Sequence, residues 1–225
     1  MNPKIGAVIL AAGTASRMGR QKLLLPLSGK PLLAHVLNVV HGMSWADCVA
    51  VIGEPQDELA QLCGQYNIRT VYNAARHSGQ ASSIVLAMNS LSNRLDGVIF
   101  FLGDQPLISP ALILALTGRY RQAASNKAII VPCRQGRRYS PVLFGSHWRP
   151  GLAALAGDTG GRQIIKENPG RVISVDWPDP RPFYDADTWD DYLMLQHCLS
   201  ARHSSMPLPL RPENIGKSRG DDFVF

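Results

Sequence analysis

From residue 5 onward, short uninterrupted apolar runs alternate with longer stretches in which apolar residues recur every three or four positions. Ile5 to Leu10 is rich in β-branched residues and has no polar alternation, the pattern of a strand buried on both faces. Pro31 then opens a helical pattern with Leu32, Leu33, Val36, Leu37 and Val40 on one side, bounded by Gly29 and Gly42. Cys48 to Gly53 reads as a strand, Gln56 to Cys63 as a helix, Ile68 to Tyr72 as a strand and Ala81 to Leu91 as a helix. Gly97-Val-Ile-Phe-Phe-Leu is the next buried strand and stops at Gly103-Asp104-Gln105-Pro106. Ser109 is placed to cap the following helix, with Pro110 in its first turn and Leu112, Ile113 and Leu116 facing inward.

The second half is less regular. Ala128 to Pro132 and Tyr139 to Phe144 read as strands around a basic turn containing Arg134, Arg137 and Arg138, and two short helices and a strand at Val172 to Val175 follow. Asp187 can cap a last helix over Thr188 to Leu199, with Asp190 and Asp191 in its first turn. Repeated strand and helix units of this length predict an α/β fold with a mostly parallel central sheet, right-handed crossovers and helices on both faces. The domain is expected over residues 1–199. Residues 200–225, with Pro207, Pro209, Pro212, Gly216 and Gly220 and few large apolar side chains, read as a tail.

Composition narrows the class. With 225 residues, 45% hydrophobic and 18% charged, the chain is long enough for a substantial core and too apolar for a disordered segment. No apolar stretch approaches the roughly 20 residues that span a bilayer, and Met-Asn-Pro-Lys runs straight into a strand without a cleavable hydrophobic segment. A cytoplasmic protein with no membrane partner is expected. Cys48, Cys63, Cys133 and Cys198 form no Cys-x-x-Cys pair, so neither a disulfide framework nor a zinc site is indicated. The net charge of +6 and pI near 9.4 raise nucleic acid as a partner, but the cations lie beside glycines and prolines rather than among aromatics, and none is expected.

The candidate chemistry begins where the first strand ends. Ala11, Ala12 and Gly13 have almost no side chain, so their backbone N–H groups can close on a nucleotide. Arg17, Arg20 and Lys22 follow, and no acidic residue precedes Asp47, so the local field favours a polyanion. Composition alone fits a tight strand-to-helix connection with a solvated basic face equally well. Arg20, where the Gly-x-x-x-x-Gly-Lys-Ser/Thr loop has its lysine, rules out that phosphate motif, and Gly-x-Gly-x-x-Gly is missing as well. Asp104, directly after a buried strand, can reach phosphates held by the first loop, and magnesium needs only one or two carboxylates besides phosphate and water. Ser78, Gly79, Ser82 and Ser83 open a helix with small polar groups suited either to a base edge or to ordinary capping.

Residues 10 to 22, Leu-Ala-Ala-Gly-Thr-Ala-Ser-Arg-Met-Gly-Arg-Gln-Lys, resemble the signature of nucleotidyltransferases, and Leu-Leu-Leu-Pro-Leu and Gly29-Lys-Pro-Leu-Leu extend the likeness. Within that group the chain is most similar to the molybdenum cofactor cytidylyltransferases, a MobA-like family, from about Ile5 to Leu195. The resemblance implies a Rossmann-like nucleotidyltransferase fold and transfer of CMP from CTP to the phosphate of molybdenum-loaded molybdopterin, with release of pyrophosphate. It implies nucleotide contacts at Leu10, Ala11, Ala12, Gly13, Arg17, Lys22, Ser78, Gly79, Ser82, Ser83 and Gly103, with Arg17, Lys22 and Asp104 catalytic. Asp104 and Asp185 are the expected Mg²⁺ ligands, Asp185 being preferred because Asp187 has capping to do.

Segments around Arg137 to Phe144 and Gly157 to Arg162 correspond to acceptor-facing parts of the family, which points to Ser140 and Arg162. Arg162 suits a pterin phosphate and a solvated helix surface alike. Tyr139-Ser140-Pro141 stands where many relatives have Gly-His-Pro, so a histidine contact does not carry over, and Gly79-Gln80 replaces the usual Gly-Met or Gly-Leu. Cytosine rather than guanine rests on Leu-Ala-Ala-Gly, since guanylyl-transferring relatives more often have two glycines. Two alternatives stand beside this reading: the same chemistry with GTP or another phosphorylated acceptor, and a non-catalytic carrier delivering the cofactor to a molybdenum hydroxylase.

Overall fold

The computed structural model describes residues 2–13, 21–157 and 160–200. Arg17 and Arg20, Asp158 and Thr159, and the tail expected after Ser200 therefore lie outside the described residues. In chain order the strands and helices are β1 (Ile5–Ala11), β2 (Pro26–Leu27), β3 (Lys30–Pro31), α1 (Leu32–His41), β4 (Asp47–Ile52), α2 (Gln56–Gly64), β5 (Arg69–Tyr72), α3 (Gln80–Ser90) and β6 (Gly97–Leu102). They continue as α4 (Pro110–Ala123), β7 (Ile129–Arg134), β8 (Arg137–Arg138), β9 (Val142–Gly145), α5 (Arg149–Ala153), α6 (Arg162–Glu167), β10 (Val172–Asp176) and α7 (Trp189–Ser200).

The main sheet runs in the order β10-β7-β9-β6-β1-β4-β5, with β8 paired to β7. All neighbours in the β6-β1-β4-β5 half are parallel, as are β7 and β10, whereas β9 runs antiparallel to both β6 and β7. Consecutive strands β1, β4 and β5 step outward in one direction, and β6 returns to the other side of β1. This places a topological switch point between β1 and β6, and open α/β sheets bind ligands outside the carboxyl ends of the strands at such a point.

Both faces of the sheet are covered because β1 and β6 carry apolar residues at every position. Ala7 and Ile9 of β1 and Ile99 and Phe101 of β6 pack with α1, α2, α4 and α7. Their neighbours Val8, Val98 and Phe100 pack on the opposite side with α3, α5 and α6. The Ser109 hydroxyl accepts from the Leu112 N–H at 3.3 Å, so α4 starts with the cap and proline that its sequence predicts.

Two elements depart from the sequence reading. β2 and β3 form a two-residue hairpin in which Ser28 and Gly29 both take positive φ, 47° and 83°, the geometry that joins twisted antiparallel strands most tightly. The strand expected over Tyr139 to Phe144 is confined to Val142–Gly145, since Pro141 has no N–H to give to a ladder.

Candidate functional site

Gly103 brings the two inner strands together at the switch point. Its N–H donates to the Leu10 carbonyl at 2.9 Å, and a Cβ there would lie 3.1 Å from that same oxygen and 3.3 Å from the Ala11 Cβ. Only glycine lets the end of β6 approach β1 so closely. The chain then turns, with Gln105 N–H donating to Leu102 O at 3.3 Å, and Asp104 projects at the rim. Gln105 itself is buried, and neither amide atom of its side chain has a protein hydrogen-bond partner among the described residues.

Lys22 opens a short 3₁₀ turn whose cap is Gln21, and the Gln21 amide also donates to the Glu54 carbonyl. The Lys22 ammonium donates to Asp104 Oδ2 at 2.7 Å and to Asp187 Oδ1 at 2.9 Å. Its side chain is only 14% exposed, against 22% for Asp104 and 44% for Asp187. Burial opposes the charge on Lys22, but the two carboxylates and their hydrogen bonds outweigh it and hold the ammonium pKa above the ordinary lysine value. Ala186 N–H donates to the Asp104 carbonyl at 3.2 Å, so the segment before α7 is tied by its backbone to the end of β6.

The carboxylate across Lys22 from Asp104 is Asp187, two residues after Asp185, the residue expected as the second metal ligand. Helix capping was the ground for setting Asp187 aside, and the cap is made elsewhere. Thr188 N–H and Oγ1–H both donate to Asp191 Oδ2, at 3.0 and 2.8 Å, and the Asp191 N–H donates back to Thr188 Oγ1 at 3.2 Å. This reciprocal box leaves Asp187 to the site. Asp185 is partly buried two residues upstream.

On the far side of the β1 loop the start of α3 is held by a residue that carries no motif. Asn73 is buried and donates through Nδ2 to both Ser82 Oγ and Ser83 Oγ at 2.9 Å, while its Oδ1 accepts from the Ala75 N–H at 2.9 Å. Ser82 in turn donates to the Gly79 carbonyl at 2.8 Å. Gly79 has φ +94°, a conformation that glycine alone takes easily. The Ser82 hydroxyl therefore donates and accepts within the loop, and Ser83 is buried, so these side chains shape the segment; Ser78, by contrast, is exposed. A cleft of about 580 Å³ opens here between Tyr72, Asn73, Ser78 and Ser82 on one side and Leu155 to Gly157 on the other.

Next to it stands a cluster of Glu54, Tyr72 and Arg76. The Tyr72 hydroxyl donates to Glu54 Oε1 and accepts from Arg76 Nη1 at 3.3 Å. The hydrogen bond from Tyr72 holds the Glu54 carboxyl below its usual pKa. Among the first-loop positions, Ala11 and Ala12 are buried, Leu10 is partly buried and Gly13 is exposed.

In the segment that the resemblance assigns to the acceptor, the Tyr139 ring stacks on Phe183 at 4.3 Å and 15°, linking the residues before β9 to those that carry Asp185 and Asp187. Ser140, the residue expected on the acceptor side, is buried. Arg162 is half-buried at the start of α6. No group of three or more His, Cys, Asp or Glu side chains suited to a metal occurs among the described residues, and no described helix is long and apolar enough to cross a membrane.

The chain is similar in sequence to proteins of several kinds. It is 28% identical over 192 residues to nicotine blue oxidoreductase of Paenarthrobacter nicotinovorans, covering 83% of this chain and 93% of that one. It is 27% identical over 211 residues to the purine catabolism protein PucB of Bacillus subtilis, covering 88% and 99%. It spans only about a quarter of the bifunctional GlmU protein of Allorhizobium ampelinum, with 31% identity over 48% of this chain. Among solved structures, the Rv0371c homologue from Mycobacterium sp. strain JC1 superposes with a TM-score of 0.77 at 25% identity, covering 90% of this chain and 99% of that one. Rv0371c of Mycobacterium tuberculosis, solved with manganese, gives 0.68 at 26%, covering 86% and 98%. Residues 7–172 match the MobA-like NTP transferase domain, so the fold, the switch-point geometry and the sequence agree that the chain belongs to the MobA-like NTP transferase family.

Proposed function

We propose that this nucleotidyltransferase moves CMP from CTP to the terminal phosphate of molybdenum-loaded molybdopterin, releasing pyrophosphate and forming the cytosine dinucleotide cofactor. The observation that carries the reading is the ammonium of Lys22 clasped by Asp104 and Asp187 at the carboxyl end of β6, immediately after a glycine loop. Two carboxylates that already converge on one cation are also the donor set magnesium takes, since it binds one or two protein carboxylates and completes its shell with phosphate oxygens and water. Asp104 and Asp187 would hold the ion, Asp187 in place of Asp185. When bound, Mg²⁺ supplies Lewis-acid neutralisation of the triphosphate.

The rest of the chemistry falls to the chain. The acceptor is a phosphate monoester with a second pKa near 6, so at neutral pH its oxygen is ionised and no serine, cysteine or histidine nucleophile is needed. That oxygen forms a bond to the α-phosphorus as the bond from it to the β-phosphate bridge breaks, and pyrophosphate carries away the electron pair. Backbone N–H groups of Ala12 and Gly13 hold the nucleotide in line, which converts encounter into orientation. Lys22, together with Arg17 outside the described residues, neutralises charge on the departing pyrophosphate.

The test is pyrophosphate release when the protein is mixed with Mg²⁺, the molybdenum-loaded cofactor and either CTP or GTP. Release with CTP well ahead of GTP supports the reading. Preference for GTP reassigns the base, and no release with either nucleotide defeats the enzyme and leaves a carrier.

A further inference from the structure

We infer that Arg76 selects the nucleobase, admitting bases that present two neighbouring hydrogen-bond acceptors. The inference rests on the nucleotidyltransferase reading and adds to it a residue that no motif marks. A Cβ on Gly53, the residue after β4, would lie 2.9 Å from Arg76 Cδ, 3.1 Å from the Ala12 carbonyl oxygen and 3.3 Å from Ala12 Cα. The aliphatic stem of Arg76 therefore crosses Gly53 and lies beside the backbone of the phosphate loop. A glycine at 53 is what makes room for it.

Among the described residues, Lys22 and Arg76 flank the loop on its two sides. Lys22 stands toward β6 with Asp104 and Asp187, where a metal and a triphosphate belong. Arg76 stands toward β4 and β5. A nucleotide laid across Ala12 and Gly13 with its phosphates toward Lys22 would bring its nucleoside end toward Gly53 and Arg76, which adjoin Ala12 on the other side. The guanidinium is oriented there: Nη1 donates to the Tyr72 hydroxyl, and Tyr72 is itself fixed by donating to Glu54. Arg76 is half-buried, so its remaining donors act at a rim partly shielded from water.

A guanidinium is a planar fork of donors with no acceptor. It matches paired acceptors, as in O2 and N3 of cytosine or O6 and N7 of guanine. Uracil places an N–H between its two carbonyls and adenine places an amino group beside N7, so each confronts the fork with a donor. A polar site left unpaired by the wrong base discriminates strongly, because its desolvated groups lose their partners.

The experiment is binding of CTP, GTP, UTP and ATP to the full-length protein with Mg²⁺, by calorimetry, for the wild type and for Arg76→Ala, Arg76→Lys and Tyr72→Phe. The wild type should favour CTP or GTP over UTP and ATP. Arg76→Ala should weaken the favoured nucleotide about tenfold or more and compress its lead over UTP and ATP. Arg76→Lys should fail to restore the lead, because a single ammonium is not a fork. Tyr72→Phe frees the guanidinium but leaves its stem in place, and should compress the lead in the same direction by less; it keeps the test open if the alanine variant does not fold. An unchanged lead in folded Arg76→Ala overturns the inference, as does equal weakening of all four nucleotides, which would put the guanidinium on phosphate. A wild type that binds nucleotides without preference overturns the base selection alone. One that binds none overturns the nucleotidyltransferase reading with it.

Discussion

Lys22 is the residue on which the site's charge balance turns, because it alone among the described side chains bridges Asp104 and Asp187. Replacing it with alanine leaves two carboxylates facing each other without their shared cation. We expect Lys22→Ala to lower single-turnover nucleotidyl transfer by roughly 10²- to 10³-fold, the usual cost of removing one preorganised electrostatic group. The unliganded variant should also be less stable, and millimolar Mg²⁺ should restore much of the loss by binding the native pair. The pH dependence follows from the direction of the shift. Lys22 has a folded pKa above its unfolded value of about 10.4, so its contribution is complete below that value and is lost only as pH rises through the folded one. The gap in urea midpoint between wild type and Lys22→Ala should therefore stay constant from about pH 7 to pH 9 and close only in stronger alkali. A gap that closes by pH 8 would contradict the pairing.

At the scale of elements, α7 delivers Asp187 to the site through its own N-terminus. Thr188 and Asp191 cap the helix reciprocally, so Thr188→Ala should cost about 1 kcal/mol of stability and, by loosening the turn that aims Asp187, raise the Mg²⁺ concentration needed for half-maximal turnover. A urea titration and a Mg²⁺ titration of the same variant check both. This cap also bears on what the sequence makes legible. Buried strands such as β1 and β6, and α4 with its Ser109-Pro110 start, were legible because burial on two faces and capping leave local patterns. Asp187 and Thr188 are adjacent capping candidates, and the Thr188-x-x-Asp191 spacing, the pattern of a capping box, is the local signal that marks Thr188 as the cap. The hairpin of β2 and β3 is too short to show a period. Asn73 and Arg76 belong to no motif, and their roles depend on contacts nine residues away with Ser82 and 23 residues away with Gly53. The burial of Ser140 likewise has no signal in the sequence, since it depends on the packing around it.

Across the whole molecule, the two-sided sheet makes the interior a poor place for thiolate. Burial pushes the thiols of Cys48 and Cys63 up to about 12, with Asp47 adding to the effect on Cys48. At pH 8 both should resist a disulfide reagent in the native state and react together once the fold opens, so mass spectrometry of partially labelled protein should find molecules with neither or both modified. Rapid single labelling of either cysteine would show a core less closed than this. The sheet has one more property of this kind in β9, the strand that runs against its two neighbours. Because it runs down from the carboxyl-end rim, the excursion through β8 that precedes it lies at that rim, tied to the core by Tyr139 and otherwise turning at its tip. Gln135 and Gly136 at its tip both take positive φ and Gly136 meets nothing a Cβ would touch. Residues inserted there would lengthen the turn at the rim while leaving the strand registers below it untouched, so this tip can vary in length without disturbing the sheet.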